Sequence, residues 1–137
     1  MADRVFVDTN ILVYADDAAA GKKRRQARDV FEDLVAGGRA VVSTQVLQEY
    51  FVAATRKLKM SAEDARARVE LFNQLDVVLI QPDMIVDAID LHRLHQLSFW
   101  DALIIRSAVA GGCSRLLSED LHDGGSIAGV RVENPFV

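Results

Sequence analysis

A three-layer α/β/α domain around a central parallel sheet of about four to five strands is the fold class this sequence predicts, on three observations. Short β-branched runs alternate with longer stretches in which apolar residues recur every three to four positions. Each short run is nearly continuously apolar, the pattern of strands covered by helices on both faces. The chain has 137 residues, half of them hydrophobic, which suffices for one good core. Residues 1–137 therefore read as a single domain, with no internal repeat, linker or low-complexity tract.

The first strand is about Arg4–Val7, and a helix follows through Ile11-Leu12-Val13-Tyr14. Ala18–Lys22, with Gly21, reads as a break. A second helix, about Lys23–Ala36, carries Ala27, Val30, Phe31 and Leu34 at helical spacing and stops at Gly37-Gly38. Strand two is Ala40–Ser43. The helix after it aligns Leu47, Tyr50, Phe51, Ala54 and Leu58, and at about 100° per residue Glu49 points about 140° away from that stripe. Ser61-Ala62-Glu63-Asp64 forms a capping box that opens a helix to about Phe72. Strand three is Val77–Ile80, stopped by Pro82. The next helix runs from about Asp83 to His95 with Ile85, Ala88, Ile89, Leu91 and Leu94 as its apolar set. Ala102–Ala110 is apolar nearly all round, so that helix is expected at the centre, ended by Gly111-Gly112. Arg115–Ser118 is strand four and Val130–Val132 a short fifth.

Net charge is −4, against the basic balance usual for a general nucleic-acid binder. The charges are segregated, however: Lys22, Lys23, Arg24, Arg25 and Arg28 form one basic block, Arg56, Lys57 and Lys59 another, and Glu119, Asp120 and Asp123 an acidic group. No apolar run reaches the roughly 20 residues of a membrane span. Met1-Ala2-Asp3-Arg4 leads into a strand without the regions of a signal peptide. The lone Cys113 has no partner for an internal disulfide. A cytoplasmic protein is expected.

Four carboxylates fall at equivalent junctions. Asp8 closes the first strand and Asp120 follows the fourth; Glu49 lies in the first turns of the helix after strand two, and Asp101 opens the central helix. In an open parallel sheet those junctions share one edge, where ligands bind. Singly, each has a structural explanation: Asp8 as a helix cap, Asp101 in a capping box with Ser98, Asp120 in a turn, Glu49 on a solvated face. Together they suit a cage for Mg²⁺ or Mn²⁺, hard cations that prefer carboxylate and water oxygens. Such ions supply what phosphodiester hydrolysis needs, and the chain offers no nucleophile elbow, glycine-rich phosphate loop or zinc-like cysteine pair in their place. Spacing alone leaves the structural and the metal readings evenly matched.

The segments Val5-Phe6-Val7-Asp8-Thr9-Asn10-Ile11-Leu12, Gln48-Glu49-Tyr50, Ser98-Phe99-Trp100-Asp101-Ala102-Leu103-Ile104 and Leu117-Ser118-Glu119-Asp120-Leu121 resemble, in order and spacing, the motifs of PIN-domain ribonucleases of the small VapC toxin type. The resemblance spans essentially the whole chain; its first and third motifs are specific and the Glu49 motif alone is weak. It implies a PIN-like fold and Mg²⁺- or Mn²⁺-dependent endonucleolytic cleavage of RNA by a metal-activated water. Asp8, Glu49, Asp101 and Asp120 are the implied acids, with Asp8 and Asp101 gripping one metal and the other two completing its shell directly or through water. Thr9 and Asn10 would accompany the first acid, Asn10 holding a carboxylate in place, and Ser118 would lie beside the fourth. Glu119 and Asp123 are alternatives to Asp120 or outer ligands. Mutual repulsion should raise the carboxylate pKa values without the ion. The resemblance also implies a homodimer and a cognate antitoxin whose C-terminal segment covers the active-site groove.

Other residues weigh less. His92 and His95 have a zinc-like spacing without a third ligand, so a helix-end role is the simpler reading, and His122 reads as a loop residue. Trp100 beside Asp101 has two readings, base stacking and packing at the helix start, of which packing is the simpler. Lys22–Arg25 at a helix start oppose the macrodipole, which leaves a phosphate or partner contact open beside a solvated loop. Ile11, Leu12, Tyr14, Val46, Tyr50 and Phe51 together exceed what one small core is expected to absorb.

Two other α/β classes fail on their own requirements. A receiver-like module needs a phosphoacceptor after strand three, where Ile80-Gln81-Pro82 stands, and a lysine after strand five, where Glu133-Asn134-Pro135 stands. A haloacid-dehalogenase-type phosphatase needs a second aspartate two residues after Asp8, where Asn10 stands. The runner-up is a PIN-fold RNA- or protein-binding module with little nuclease activity.

Overall fold

A computed structural model describes residues 3–121 and 124–137. The chain runs β1 (Val5–Val7), α1 (Thr9–Asp16), α2 (Lys22–Ala36), β2 (Ala40–Ser43), α3 (Thr44–Arg56), α4 (Ala62–Phe72), β3 (Asp76–Val78), α5 (Pro82–His95), α6 (Phe99–Ala110), β4 (Arg115–Leu117), β5 (Ser126–Ile127) and β6 (Val130–Glu133). The sheet order is β3-β2-β1-β4-β6-β5. Every neighbouring pair is parallel except β5–β6. The α/β/α class stands, but the sheet has six strands and is mixed rather than wholly parallel. The extra strand, Ser126–Ile127, is two residues long and pairs with β6 through Ile127 and Val130. Nothing so short carries a readable alternation.

Core strands β1 and β2 are buried at every position, as continuous apolar runs predict. Ser61 caps α4 by accepting the Asp64 N–H, one half of the expected box. The central helix α6 buries Ala102, Leu103, Ile104, Ile105, Ser107 and Ala108. It ends at Gly111, where a Cβ would lie 3.0 Å from Val78 Cγ2 and 3.1 Å from Val41 Cγ1, so any side chain there would push the valines back from the helix end. Arg68 of α4 makes two 3.0 Å hydrogen bonds to the Asp16 carboxylate, and the Tyr50 hydroxyl donates to the same group, tying three helices together.

Two helix faces depart from expectation. On α3 the buried apolar positions are Val46, Tyr50 and Ala54, while Phe51 is 38% exposed. On α5 only Met84 and Ala88 are buried, and Ile85, Ile89 and Leu94 are exposed. The expected overflow of α1 and α3 is partial: Ile11, Leu12, Val46 and Tyr50 are buried in the main core, Tyr14 is half-buried against it and Phe51 stays exposed. More apolar surface remains on α5, because that helix packs chiefly on α6, through the small residues Ala88 and Ala102 and through Leu103.

Candidate functional site

The chain leaves β1 outward to β2 and β3, then returns to place β4 on the other side of β1. The strand order therefore reverses between β1 and β4, the crevice where open α/β sheets bind ligands. Asp8 follows β1 and Ser118 follows β4, and the Asp8 N–H donates to the Leu117 carbonyl at 3.0 Å across the gap. A pocket of about 350 Å³ opens there. Asp8, Glu49, Asp101 and Asp120 all line it, with Thr9, Asn10 and Glu119.

Each acid is held by neutral donors. Asp8 is the N-cap of α1, 5% exposed, and accepts from the Thr9 N–H and the Ser118 hydroxyl, both at 2.7 Å. Glu49 accepts from Thr9 Oγ1 at 2.9 Å and from Gln45 Nε2 at 3.5 Å. Asp120 accepts from Asn10 Nδ2 at 3.1 Å, and its own N–H reaches Ser118 Oγ at 3.2 Å. The Asn10 carbonyl takes the Glu119 N–H at 3.2 Å, so Asn10 does hold a carboxylate while anchoring the loop after β4. Ser98 caps α6 by accepting the Asp101 N–H, and the Asp101 carboxylate faces the pocket from the third helical position.

Burial pushes the Asp8 carboxyl up from 3.8 to about 7; the Ser118 and Thr9 hydrogen bonds oppose this, and the charges of Glu49 and Asp120 add to it. Burial first, and the Asp120 charge after it, raise Asp101 as well, against the Ser98 hydrogen bond. At Asp8 and Asp101 the expected rise is present, but desolvation leads it rather than repulsion between the acids.

Glu119 departs from the set. Lys23 and the Tyr14 hydroxyl both donate to it, and the Lys23 hydrogen bond foremost holds its carboxyl below the usual range. Asp123 and His122 lie outside the described residues. His92 hydrogen-bonds the Leu97 carbonyl at the end of α5, the helix-end role read from its spacing. Trp100 is 60% exposed and meets Phe99 edge-on at 5.1 Å, which overturns packing as its main role.

Three pocket residues were not assigned to the site from the sequence, Tyr14, Gln45 and Lys57; Lys23, whose block was read as open to a phosphate or partner contact, pairs with Glu119 behind the pocket instead. Gln45, Glu49, Ala53 and Lys57 follow one another at steps of four along α3 and all line the pocket. That stripe was visible as a period, yet its mixed polarity resembles an ordinary solvated face. Lys57 makes no ion pair among the described residues and lies over the Tyr14 ring at 5.5 Å.

Among the described residues no three acids, histidines or cysteines stand close enough together to form a ready-made ion site. The donor chemistry nonetheless fits a hard divalent cation: besides the lysine-paired Glu119, four carboxylates, two of them penalised for carrying charge without a counter-ion, face one pocket with no thiolate or imidazole. Asp8, Glu49, Asp101 and Asp120 are the residues that would hold it.

The PIN domain family matches residues 5–122. No curated protein matches the chain. Among solved structures, a chain of a toxin–antitoxin complex from Klebsiella pneumoniae is similar at TM-score 0.68 and 22% identity, covering 92% of this chain and 94% of that one. VapC20 of Mycobacterium tuberculosis, described as a sarcin–ricin loop cleaving toxin, is similar at TM-score 0.63 and 23% identity over 85% of this chain and 91% of that one. A chain of DNA-bound VapBC from Salmonella typhimurium is similar at TM-score 0.68 and 21% identity over 98% and 99%. At these identities the likeness is one of fold.

Proposed function

This chain belongs to the PIN domain family, and on that premise we propose that it is a Mg²⁺- or Mn²⁺-dependent endoribonuclease, the toxin of a toxin–antitoxin pair. The observation that carries the reading is the pocket at the sheet's reversal point, where acids from four separate segments line one cavity. A bound divalent ion supplies Lewis acidity toward a water and a phosphate oxygen. The chain's own part is orientation. Thr9 bridges the first two acids, its N–H to Asp8 and its hydroxyl to Glu49. Asn10 and Ser118 fix the loop that carries Asp120. Lys57, at the end of α3, places a positive charge beside the pocket where a phosphodiester strand would lie.

The proposed partners are an RNA substrate, a cognate antitoxin protein and a second copy of this chain. No helix among the described residues is long and apolar enough to cross a membrane. Incubation with total RNA is expected to give discrete cleavage products with Mn²⁺ and none with a chelator. Asp101→Asn should lower cleavage by more than about 100-fold while leaving the circular dichroism spectrum unchanged. Cutting by Asp101→Asn at the parent's rate would defeat the assignment.

The second reading is a PIN-fold binding module with little nuclease activity, favoured by the absence of a ready-made three-acid cluster among the described residues. It predicts RNA or protein binding with no Mn²⁺-dependent products in the same assay.

A further inference from the structure

A second cleft, about 480 Å³, lies beside the acidic pocket and shares part of its wall. It is lined by Gln45, Gln48, Glu49, Val52, Ala53, Arg56 and Trp100, of which Gln45, Glu49, Ala53 and Trp100 also line the acidic pocket. Trp100 therefore stands on the boundary, one residue from Asp101, with most of its indole surface open. Its neighbour Phe99 meets it in a T-shaped contact, and at 60% exposure much of Trp100 remains open to another flat partner.

A second observation comes from Gln45, only 4% exposed. Its Nε2 is committed, donating to Glu49 Oε2 at 3.5 Å and to the Trp100 carbonyl at 3.3 Å. Its Oε1 is buried without a hydrogen-bond partner. A buried acceptor left unmatched costs stability unless something donates to it, and this one belongs to the wall common to both cavities.

We propose that this cleft is a nucleobase subsite, in which the base next to the cleaved phosphate stacks on the Trp100 indole beside Val52 and Ala53. A turn of the Gln45 side chain toward the cleft gives its unmatched Oε1 a donor of that nucleotide, an exocyclic amine or a ribose hydroxyl. Arg56 supplies the charge at the rim for the adjoining phosphate. The fit is to single-stranded RNA, since a base paired in a duplex presents no free face to an indole. The subsite rests on the ribonuclease reading and deepens it by naming what the enzyme holds beside the scissile bond.

Trp100 is the sole tryptophan of the chain, so its emission reports on the subsite directly. The test titrates the full chain, in Ca²⁺, with a short single-stranded RNA of mixed sequence and with an abasic ribose-phosphate strand of equal length. Strand anisotropy reads binding and indole emission reads stacking. RNA is expected to bind and quench the emission, and the abasic strand to bind more weakly without quenching. Trp100→Leu should weaken RNA binding about tenfold and leave the abasic strand unaffected, while Trp100→Phe should restore most of the difference. RNA binding with unchanged emission, or equal losses for both strands in Trp100→Leu, overturns the subsite. If Mn²⁺-dependent cleavage persists in that case, the ribonuclease reading survives; if no RNA is bound or cut, both fall.

Discussion

Burial takes the Asp8 carboxyl up to about 7, so near neutral pH the metal-free protein holds much of it protonated. Because the native value lies above the ordinary 3.8, ionisation works against the fold. The stability associated with this group is fully present below its unfolded pKa and is lost as pH rises through about 7. An ion that accepts the charge removes the penalty but must first displace the proton. Mn²⁺ affinity measured by calorimetry is therefore expected to climb between about pH 6 and pH 8, and a flat profile would mean Asp8 is no ligand. Asparagine keeps the cap, so metal-free Asp8→Asn should melt a few degrees above the parent at pH 8, match it near pH 4, and gain nothing from Mn²⁺. Glu119 carries the opposite expectation. With Lys23 and Tyr14 already on its oxygens, it is neutralised without an ion. Glu119→Gln should cut RNA within about tenfold of the parent, in contrast to Asp101→Asn. A loss as deep as that of Asp101→Asn would place Glu119 among the metal's ligands. That these four acids line one pocket was foreseeable in sequence, because Asp8 and Asp120 follow strands while Glu49 and Asp101 lie in the first turns of helices; the difference between Asp120 and Glu119 was not. It depends on a lysine 96 positions away, and no local pattern reports that.

At the scale of elements, the β5–β6 hairpin shows both what sequence conceals and what it leaves to improve. Ile127 pairs with Val130, so Ala128 and Gly129 form a two-residue turn, and their φ values are +53° and +82°. Positive φ at both positions is the primed turn that suits the twist of a hairpin, and Asn-Gly is its preferred sequence. Alanine there bears the left-handed penalty that asparagine largely escapes. Ala128→Asn is expected to raise stability by about 1 kcal/mol, read as a higher urea midpoint at unchanged slope. An unmoved or lower midpoint would show that the turn adopts another conformation in solution. The hairpin escaped the sequence because Ala-Gly is a weak turn signal and a two-residue strand has no period. By contrast β1, β2, α4 and α6 were readable, each from a continuous apolar run or a capping serine at the correct offset. The misread faces were those of α3 and α5. Periodicity finds which side of a helix is apolar, but it does not say whether this chain supplies the cover. Phe51 and Ile89 obey the period and remain exposed.

For the whole molecule, strand order explains how acids so distant in sequence line one pocket, and alternation of strand and helix made that order partly foreseeable. The same topology places α5 at a margin, where it packs chiefly against α6. Ile85, Val86 and Ile89 occupy neighbouring positions on one face of α5, and all three are exposed, with Leu79 and Leu94 exposed nearby in sequence. The core is complete without them: the largest fully buried side chains come from α1, α3, α6 and the sheet. A contiguous apolar helix face marks association, and a self-complementary face gives a closed two-fold pair. The proposed homodimer accounts for this surface without drawing on the acidic pocket, whose lining includes no α5 residue. Sedimentation equilibrium of the free chain is expected to return twice the chain mass. Because the contact is apolar, raising salt should leave the dimer intact, which an ion-paired interface would not survive as well. Ile89→Glu, placing a charge where the two copies meet, should convert the population to monomer while the circular dichroism spectrum is kept. A parent that sediments as a monomer, or an Ile89→Glu variant that remains dimeric, would remove α5 from the interface and leave its exposed face to the antitoxin.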